Sequence, residues 1–332
     1  MTNAYCCQLK LGKKFARLQN YCYFCSIKQG NRTYHVTMTN HDIIQSVFTN
    51  KGKCYDGTPL VMGVLNCTPD SFFAGSRKQT EAEISARAEQ ILSEGGSIID
   101  IGAFSTRPGA EVVTEKEEKR RMSRALRIVR DVYPNAVVSV DTYRPEVARM
   151  AVEVYGADII NDVSEGGITG VVDTPLDDTK GADGIPEIFK EMKRLRVPYI
   201  LMSVQDSVEK MIENFRKEVA QLASLGVEKV ILDPGYGFGK DVIKGNYEVL
   251  RRQKEIKDAF PELPLLAGMS RKRMIWQLLG GTAQDDSAMY GTMLVDMLAL
   301  QNGADILRVH DVKQAVDTVK VFQAYRGENV KP

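Results

Sequence analysis

Eight short apolar runs, each followed by a helix-length amphipathic segment, constrain this chain more than any other feature. The runs are VMGVLN to Asn66, SIIDIG to Gly102, VVSVD to Asp141, ADIIND through Asn161, PYILM to Met202, KVILD to Asp233, LLAG to Gly268 and DILRVH to His310. Each is rich in Val, Ile and Leu, as parallel strands buried on both faces are. Eight strand–helix units predict an α/β fold, a (β/α)8 TIM barrel. Such barrels build their active sites at the C-terminal ends of the strands, where most of these runs finish in a polar residue.

Bulk properties narrow the function classes. The 332 residues are 43% hydrophobic and 26% charged, with 44 basic and 43 acidic side chains and a net charge of +1. That balance argues against a nucleic-acid face or a polybasic membrane anchor. No apolar run approaches the length of a membrane span. A cytoplasmic protein is expected. All six cysteines (Cys6, Cys7, Cys22, Cys25, Cys54 and Cys67) precede residue 68, so a disulfide-stapled fold is not expected. The Cys22-x-x-Cys25 pair has zinc-ligand spacing, but no second pair completes a site.

Residues 1–37 read as a poorly ordered N-terminal extension, and a second methionine, Met38, opens the segment expected to carry the barrel, 38–327. Residues 39–58 are expected to form a short strand or hairpin closing the barrel floor. Thr80 with Glu83, and Thr114 with Glu117, predict capping boxes. Pro145 suits a first helical turn, and Ser207 opens a helix ended by Gly226. The Gly- and Asp-rich stretch 164–186 predicts a long loop after the fourth strand.

The strand exits carry the chemistry. Asn66 leads into Asp70 and Ser71, a set that orients a metal, phosphate or substrate, or simply caps a turn. Ser105-Thr106-Arg107 offers hydroxyls and a guanidinium fork to an anion. Asp141, Asn161 and Asp233 put two carboxylates and a carboxamide at one rim. A planar heterocycle with amino and ring N–H donors would satisfy them, and helix capping or internal pairing is the alternative. The loop Asp233-Pro-Gly-Tyr-Gly-Phe238-Gly-Lys240 has neither Walker nor dinucleotide spacing. Its glycines are expected to let the backbone pass close to a flat ligand, with Phe238 as an aromatic wall. Ser270-Arg271-Lys272 predicts an anion site at a helix N-terminus. Arg308 and His310 alternate around Val309 and so share a face.

In order, MGVLNCTPDSF, STRPG, SVDT, ADIIND, LDPGYGFGK, GMSRK and RVHDV resemble the dihydropteroate synthase family, over about residues 58–326. The resemblance implies condensation of 6-hydroxymethyl-7,8-dihydropterin diphosphate with 4-aminobenzoate, in folate synthesis, by a cytoplasmic homodimer using Mg2+. It implies that Asp141, Asn161 and Asp233 read the donor edge of the pterin and Lys272 its carbonyl edge. Met202 and Phe238 become apolar walls. Arg308 lies over the pterin and, with His310 and Asn66, meets the diphosphate, and Val309, between Arg308 and His310, is an implied substrate contact. Asn66 is the implied metal contact. Thr106, Arg107 and Ser270 hold the substrate tails. Lys272, Arg308 and Asp141 are the implied catalytic set.

The chain departs from the family pattern at Ala74 (usually Asp), Phe104 (usually Glu), Ser203-Val204 (usually His-Met) and the insertion 166–184. Two other readings share much of this pattern. One is a pterin-binding methyltransferase, which has no need of Ser270-Arg271-Lys272 or of Arg308 and His310. The other is a non-catalytic relative, suggested by Ala74 and Phe104.

Overall fold

The computed structural model describes residues 24–29, 32–37, 58–67, 80–104, 113–167 and 183–328. The chain divides into two compact units, Met1–Thr37 and Met38–Pro332. In the first, β1 (Phe24–Gln29) and β2 (Arg32–Thr37) pair antiparallel with Phe24 opposite Thr37. The hairpin expected over 39–58 lies outside the described residues, Thr58 excepted.

The second unit is a (β/α)8 barrel. Its strands are β3 (Leu60–Asn66), β4 (Ile98–Gly102), β5 (Val138–Asp141), β6 (Ile159–Asp162), β7 (Tyr199–Met202), β8 (Val230–Asp233), β9 (Leu266–Ala267) and β10 (Ile306–Val309). They are all parallel, in the order β8-β7-β6-β5-β4-β3-β10-β9. The ring closes where the Leu232 N–H donates to the Pro264 carbonyl at 2.9 Å and Leu232 bridges Leu265. Residues of alternate parity face opposite sides of the ring. Val61, Ile99, Ile101, Val140, Ile160, Leu201, Leu232, Leu307 and Val309 face outward into one apolar layer beneath the helices. The inner face carries Met62, Asp100, Asp141, Asn161, Met202, Asp233 and Arg308, by register.

The helices are α1 (Glu81–Ser93), α2 (Glu115–Val132), α3 (Pro145–Tyr155), α4 (Glu187–Leu195), α5 (Val208–Ser224), α6 (Lys244–Ala259), α7 (Arg273–Trp276), α8 (Asp286–Gln301) and α9 (Val312–Tyr325). Thr80 and Glu83 form the expected capping box. At α2 only half of it forms. Thr114 accepts the Glu117 N–H at 3.3 Å, while the Glu117 carboxylate turns to Arg120 and Arg121, each at 2.7 Å. Two guanidinium donors outcompete one backbone N–H, because charged hydrogen bonds are the stronger. Pro145 is the first residue of α3, and Ser207 caps α5.

One buried group outside the barrel interior is held at a cost. Glu218 of α5 is 7% exposed, and its Oε2 has no hydrogen-bond partner among the described residues. Burial, then Glu165 and Asp162, push its carboxyl up to about 9. An unfolded glutamate titrates near ~4.3, so the folded group opposes ionisation. The sign follows directly: the penalty is absent below the unfolded value, grows as pH rises, and is complete above the folded one. Glu218→Gln is therefore expected to stabilise the fold at pH 7 by roughly 1–3 kcal/mol and by almost nothing at pH 4. Urea unfolding at the two pH values checks this, and equal gains at both would remove the titration argument.

Candidate active site

Barrel register places the polar residues. Asn66, Gly102, Asp141 and Asn161 stand side by side across β3, β4, β5 and β6, and Met202 pairs with Asp233 on β7 and β8. A methyl group built on Gly102 would lie 3.3 Å from Asn66 Oδ1 and 3.7 Å from Asp141 Oδ2, so those two oxygens flank the same small residue.

Arg308 is the electrostatic centre of this rim. Its Nε donates to Asp100 Oδ2 at 2.7 Å, and its terminal nitrogen lies 2.6 Å from the same oxygen and 2.8 Å from Asp141 Oδ2. Burial works against the guanidinium charge, but Asp100 and Asp141 hold its pKa above the ordinary value. Burial pushes the Asp141 carboxyl up to about 7, against the pull of Arg308. Asn161 is fully buried, and its Nδ2 donates to both oxygens of Asp100 at 3.3 Å.

Asp100 was absent from the residues singled out by sequence. It lies mid-strand in SIIDIG, two residues before the strand end at Gly102. The available signal was a carboxylate with isoleucines on both sides in a strand buried throughout.

The opposite wall comes from the loops after β8 and β9. Asp233 accepts the Gly235 N–H at 2.8 Å. Burial raises its carboxyl, opposed first by the charge of Lys272. Lys272 Nζ lies 4.7 Å from the Phe238 ring centroid and donates to the Tyr236 carbonyl. Burial brings this ammonium down to about 8. Lys240 ties the loop to itself through the carbonyls of Gly235 and Phe238, each at 2.8 Å. Met202 is buried beside Gly235. Ser270 Oγ accepts the His310 N–H at 3.0 Å and lies 3.2 Å from His310 Nδ1, joining the β9 and β10 exits.

Three expectations change in detail. The glycines after β8 serve the protein's own backbone. A Cβ on Gly235 would lie 1.8 Å from the Ser203 carbonyl oxygen, and one on Gly239 1.9 Å from that of Val204. Of the cations after β9, Lys272 is the N-cap of α7, while Arg271 turns away from the helix terminus. Helix α7 has four residues, and Arg271, at φ +54°, forms a two-pronged ion pair with Asp311 at 2.7 and 2.9 Å. Val309 is 1% exposed and belongs to the outer apolar layer, so only its backbone faces the rim.

Phe104, where the family pattern has a glutamate, stacks edge-on with Tyr143 at 6.1 Å. The Arg144 guanidinium lies 5.5 Å from the Phe104 ring and also donates to Val113 O and Glu118. Thr106, Arg107, Asp70 and Ala74 lie outside the described residues. Among the described residues no group of three or more His, Cys, Asp or Glu side chains is arranged to hold a metal ion.

Residues 62–310 match the pterin binding enzyme family. The Escherichia coli dihydropteroate synthase is 35% identical over 269 residues, 80% of this chain and 91% of that protein. The chain belongs to the dihydropteroate synthases, which are transferases. A Xanthomonas albilineans dihydropteroate synthase solved in complex with 7,8-dihydropteroate has 32% identity and a TM-score of 0.66, covering 82% of this chain and 95% of its own. The Pneumocystis carinii folic acid synthesis protein is 31% identical across 88% of this chain, but the chain spans only 40% of that longer relative. In dihydropteroate synthase-like barrel order, SVDT, ADIIND, LDPGYGFGK, GMSRK and RVHDV lie at the ends of β5, β6, β8, β9 and β10.

Proposed function

We propose that this chain joins 6-hydroxymethyl-7,8-dihydropterin diphosphate to 4-aminobenzoate, with Asp141, Asn161 and Asp233 reading the pterin. One observation carries the reading: three inward oxygen-bearing side chains, buried Asn161 and Asp233 and half-buried Asp141, share a rim with Arg308 and Lys272. Buried carboxylates of this kind demand donors, and the amino-pyrimidine edge of a pterin supplies several in one plane. Lys272 meets the pterin carbonyl, while Met202 and Phe238 supply apolar walls. Arg308, His310 and the Val309 backbone meet the diphosphate. Thr106, Arg107 and Ser270 hold the aminobenzoate end.

The chemistry needs no protein nucleophile. Diphosphate leaves with the bonding electron pair from a methylene carbon next to an electron-rich ring. The aminobenzoate nitrogen then bonds to that carbon and loses a proton. Arg308 stabilises charge on the leaving group, and the rim carboxylates stabilise charge left on the ring. The donor set fits magnesium carried in by the substrate. Asn66 offers one hard oxygen, and Mg2+ characteristically binds through few protein ligands plus phosphate oxygens and water. When bound, the ion would neutralise charge on the departing diphosphate. Binding is ordered, diphosphate first.

Asp233→Asn is expected to weaken binding of 6-hydroxymethyl-7,8-dihydropterin by roughly 1–3 kcal/mol, because an amide presents one acceptor and a mismatched donor. Calorimetry reads it directly, and unchanged affinity would take Asp233 out of the pocket.

A homodimer is part of the same reading. Tyr290, Leu294 and Leu298 recur every four residues along α8 at 58, 69 and 45% exposure, opposite the helix's buried face. Val321 and Tyr325 expose a similar pair on α9. Leu294→Glu is expected to convert a dimer into monomers in sedimentation velocity; a variant sedimenting like the parent would move the interface elsewhere. Among the described residues no helix is long and apolar enough to cross a membrane, and a cytoplasmic site of action completes the proposal.

A further inference from the structure

We propose that Asp100 is a positioning residue for pterin recognition: it fixes which end of the Asn161 carboxamide meets the ligand and keeps Arg308 anchored while Asp141 changes partners. This rests on the reading of the barrel mouth as the pterin pocket. Asp100 lies one inward-facing position below the row of Asn66, Gly102 and Asp141, so it works through its neighbours.

The geometry supplies both halves. A carboxylate only accepts hydrogen bonds, so the Asn161 atom facing Asp100 at 3.3 Å from each of its oxygens is the NH2 group. That choice turns Oδ1 the other way. Asn161 Oδ1 is buried and has no hydrogen-bond partner among the described residues. A buried acceptor without a donor is disfavoured, and such atoms in native structures call for an explanation. A ligand N–H reaching Asn161 provides one. Asp141, beside Asn161 in register, already accepts from Arg308. A pterin donor that takes over this Asp141 oxygen displaces a guanidinium contact. Asp100 Oδ2 holds the same guanidinium by two nitrogens, at 2.7 and 2.6 Å, so Arg308 keeps a buried counter-charge through the exchange.

The test compares the parent, Asp100→Asn, and the exchange variant carrying Asp100→Asn together with Asn161→Asp. The probe is 6-hydroxymethyl-7,8-dihydropterin in calorimetry, followed by steady-state kinetics with both substrates. In Asp100→Asn the new amide can donate to Asn161 Oδ1, which releases the carboxamide orientation. Pterin affinity is expected to fall at least about tenfold and the KM for the pterin substrate to rise, with the KM for 4-aminobenzoate nearly unchanged. The exchange variant keeps one carboxylate and one amide in the same buried space. Its carboxylate at 161 presents an acceptor whichever way it turns, so affinity is expected within about threefold of the parent.

Affinity within twofold of the parent in Asp100→Asn, or an exchange variant that folds but binds no better than Asp100→Asn, overturns the proposal. If Asp100→Asn does not fold, the exchange variant alone decides, since only the orientation account requires it to bind like the parent. A parent that binds no pterin brings down the pocket reading itself, a result distinct from a binding parent with an insensitive Asp100.

Discussion

Arg308→Met is expected to cut turnover by roughly 10²–10³ and to destabilise the fold by about 3–5 kcal/mol, the usual cost of removing one partner from a buried ion pair. The guanidinium lies between two carboxylates, at 2.6 Å from Asp100 and 2.8 Å from Asp141. Without it both remain in the barrel interior with no cation at that place. The catalytic loss has a separate origin: nothing then meets the charge that develops on the leaving diphosphate, an effect of roughly 10²–10³ in kcat for a single such donor. Adding Asp100→Asn to Arg308→Met removes one stranded charge. That variant is expected to regain a substantial part of the stability and none of the activity. Denaturant unfolding separates the two losses. A single Arg308→Met variant as stable as the parent would show that the ion pairs do not form in solution.

Gly235→Ala is expected to be nearly as damaging, for a purely steric reason. At φ +68° a side chain is already strained, and the added Cβ would sit 1.8 Å from the Ser203 carbonyl oxygen. Neither backbone can yield without moving a strand exit. Asp233 would lose the Gly235 N–H and Lys240 the Gly235 carbonyl. A loss of roughly 3 kcal/mol or more is expected, together with pterin binding. Gly280→Ala is the matched control. Its φ is +70°, but nothing lies within 4 Å of the new methyl, so only backbone strain of about 1 kcal/mol remains. Equal losses at the two positions would show that the close approach between the β7 and β8 exits is not a constraint.

The barrel was legible because its strands repeat a simple physical pattern, apolar on both faces and polar at the exit. Asp141, Asn161, Asp233 and Arg308 stand out in the sequence for the same reason, since each lies at or next to the end of its strand. Asp100 sits one inward-facing position deeper, where nothing local separates a positioning carboxylate from a tolerated one. The Arg271–Asp311 pair spans 40 residues of sequence, and no local rule assigns a partner at that separation. Gly235 and Gly239 announce a close approach but not what approaches, and the answer here is the chain's own Ser203 and Val204. The half-formed box at Thr114 shows a local motif losing to stronger neighbours, because Arg120 and Arg121 claim the Glu117 carboxylate. Those arginines lie within four residues, so that competition could have been read in advance.

We propose that the barrel mouth between Asp141, Asn161, Asp233, Lys272 and Arg308 condenses a pterin diphosphate with 4-aminobenzoate. Its most direct test is a discontinuous assay of the full chain with 6-hydroxymethyl-7,8-dihydropterin diphosphate, 4-aminobenzoate and magnesium, measuring dihydropteroate and pyrophosphate together. One pyrophosphate released per dihydropteroate formed, dependence on both substrates, and a reaction slowed by roughly 10²–10³ in Arg308→Met are expected. Tight binding of the pterin diphosphate by the parent with no dihydropteroate formed would contradict the proposal and leave a pterin-binding protein without the reaction.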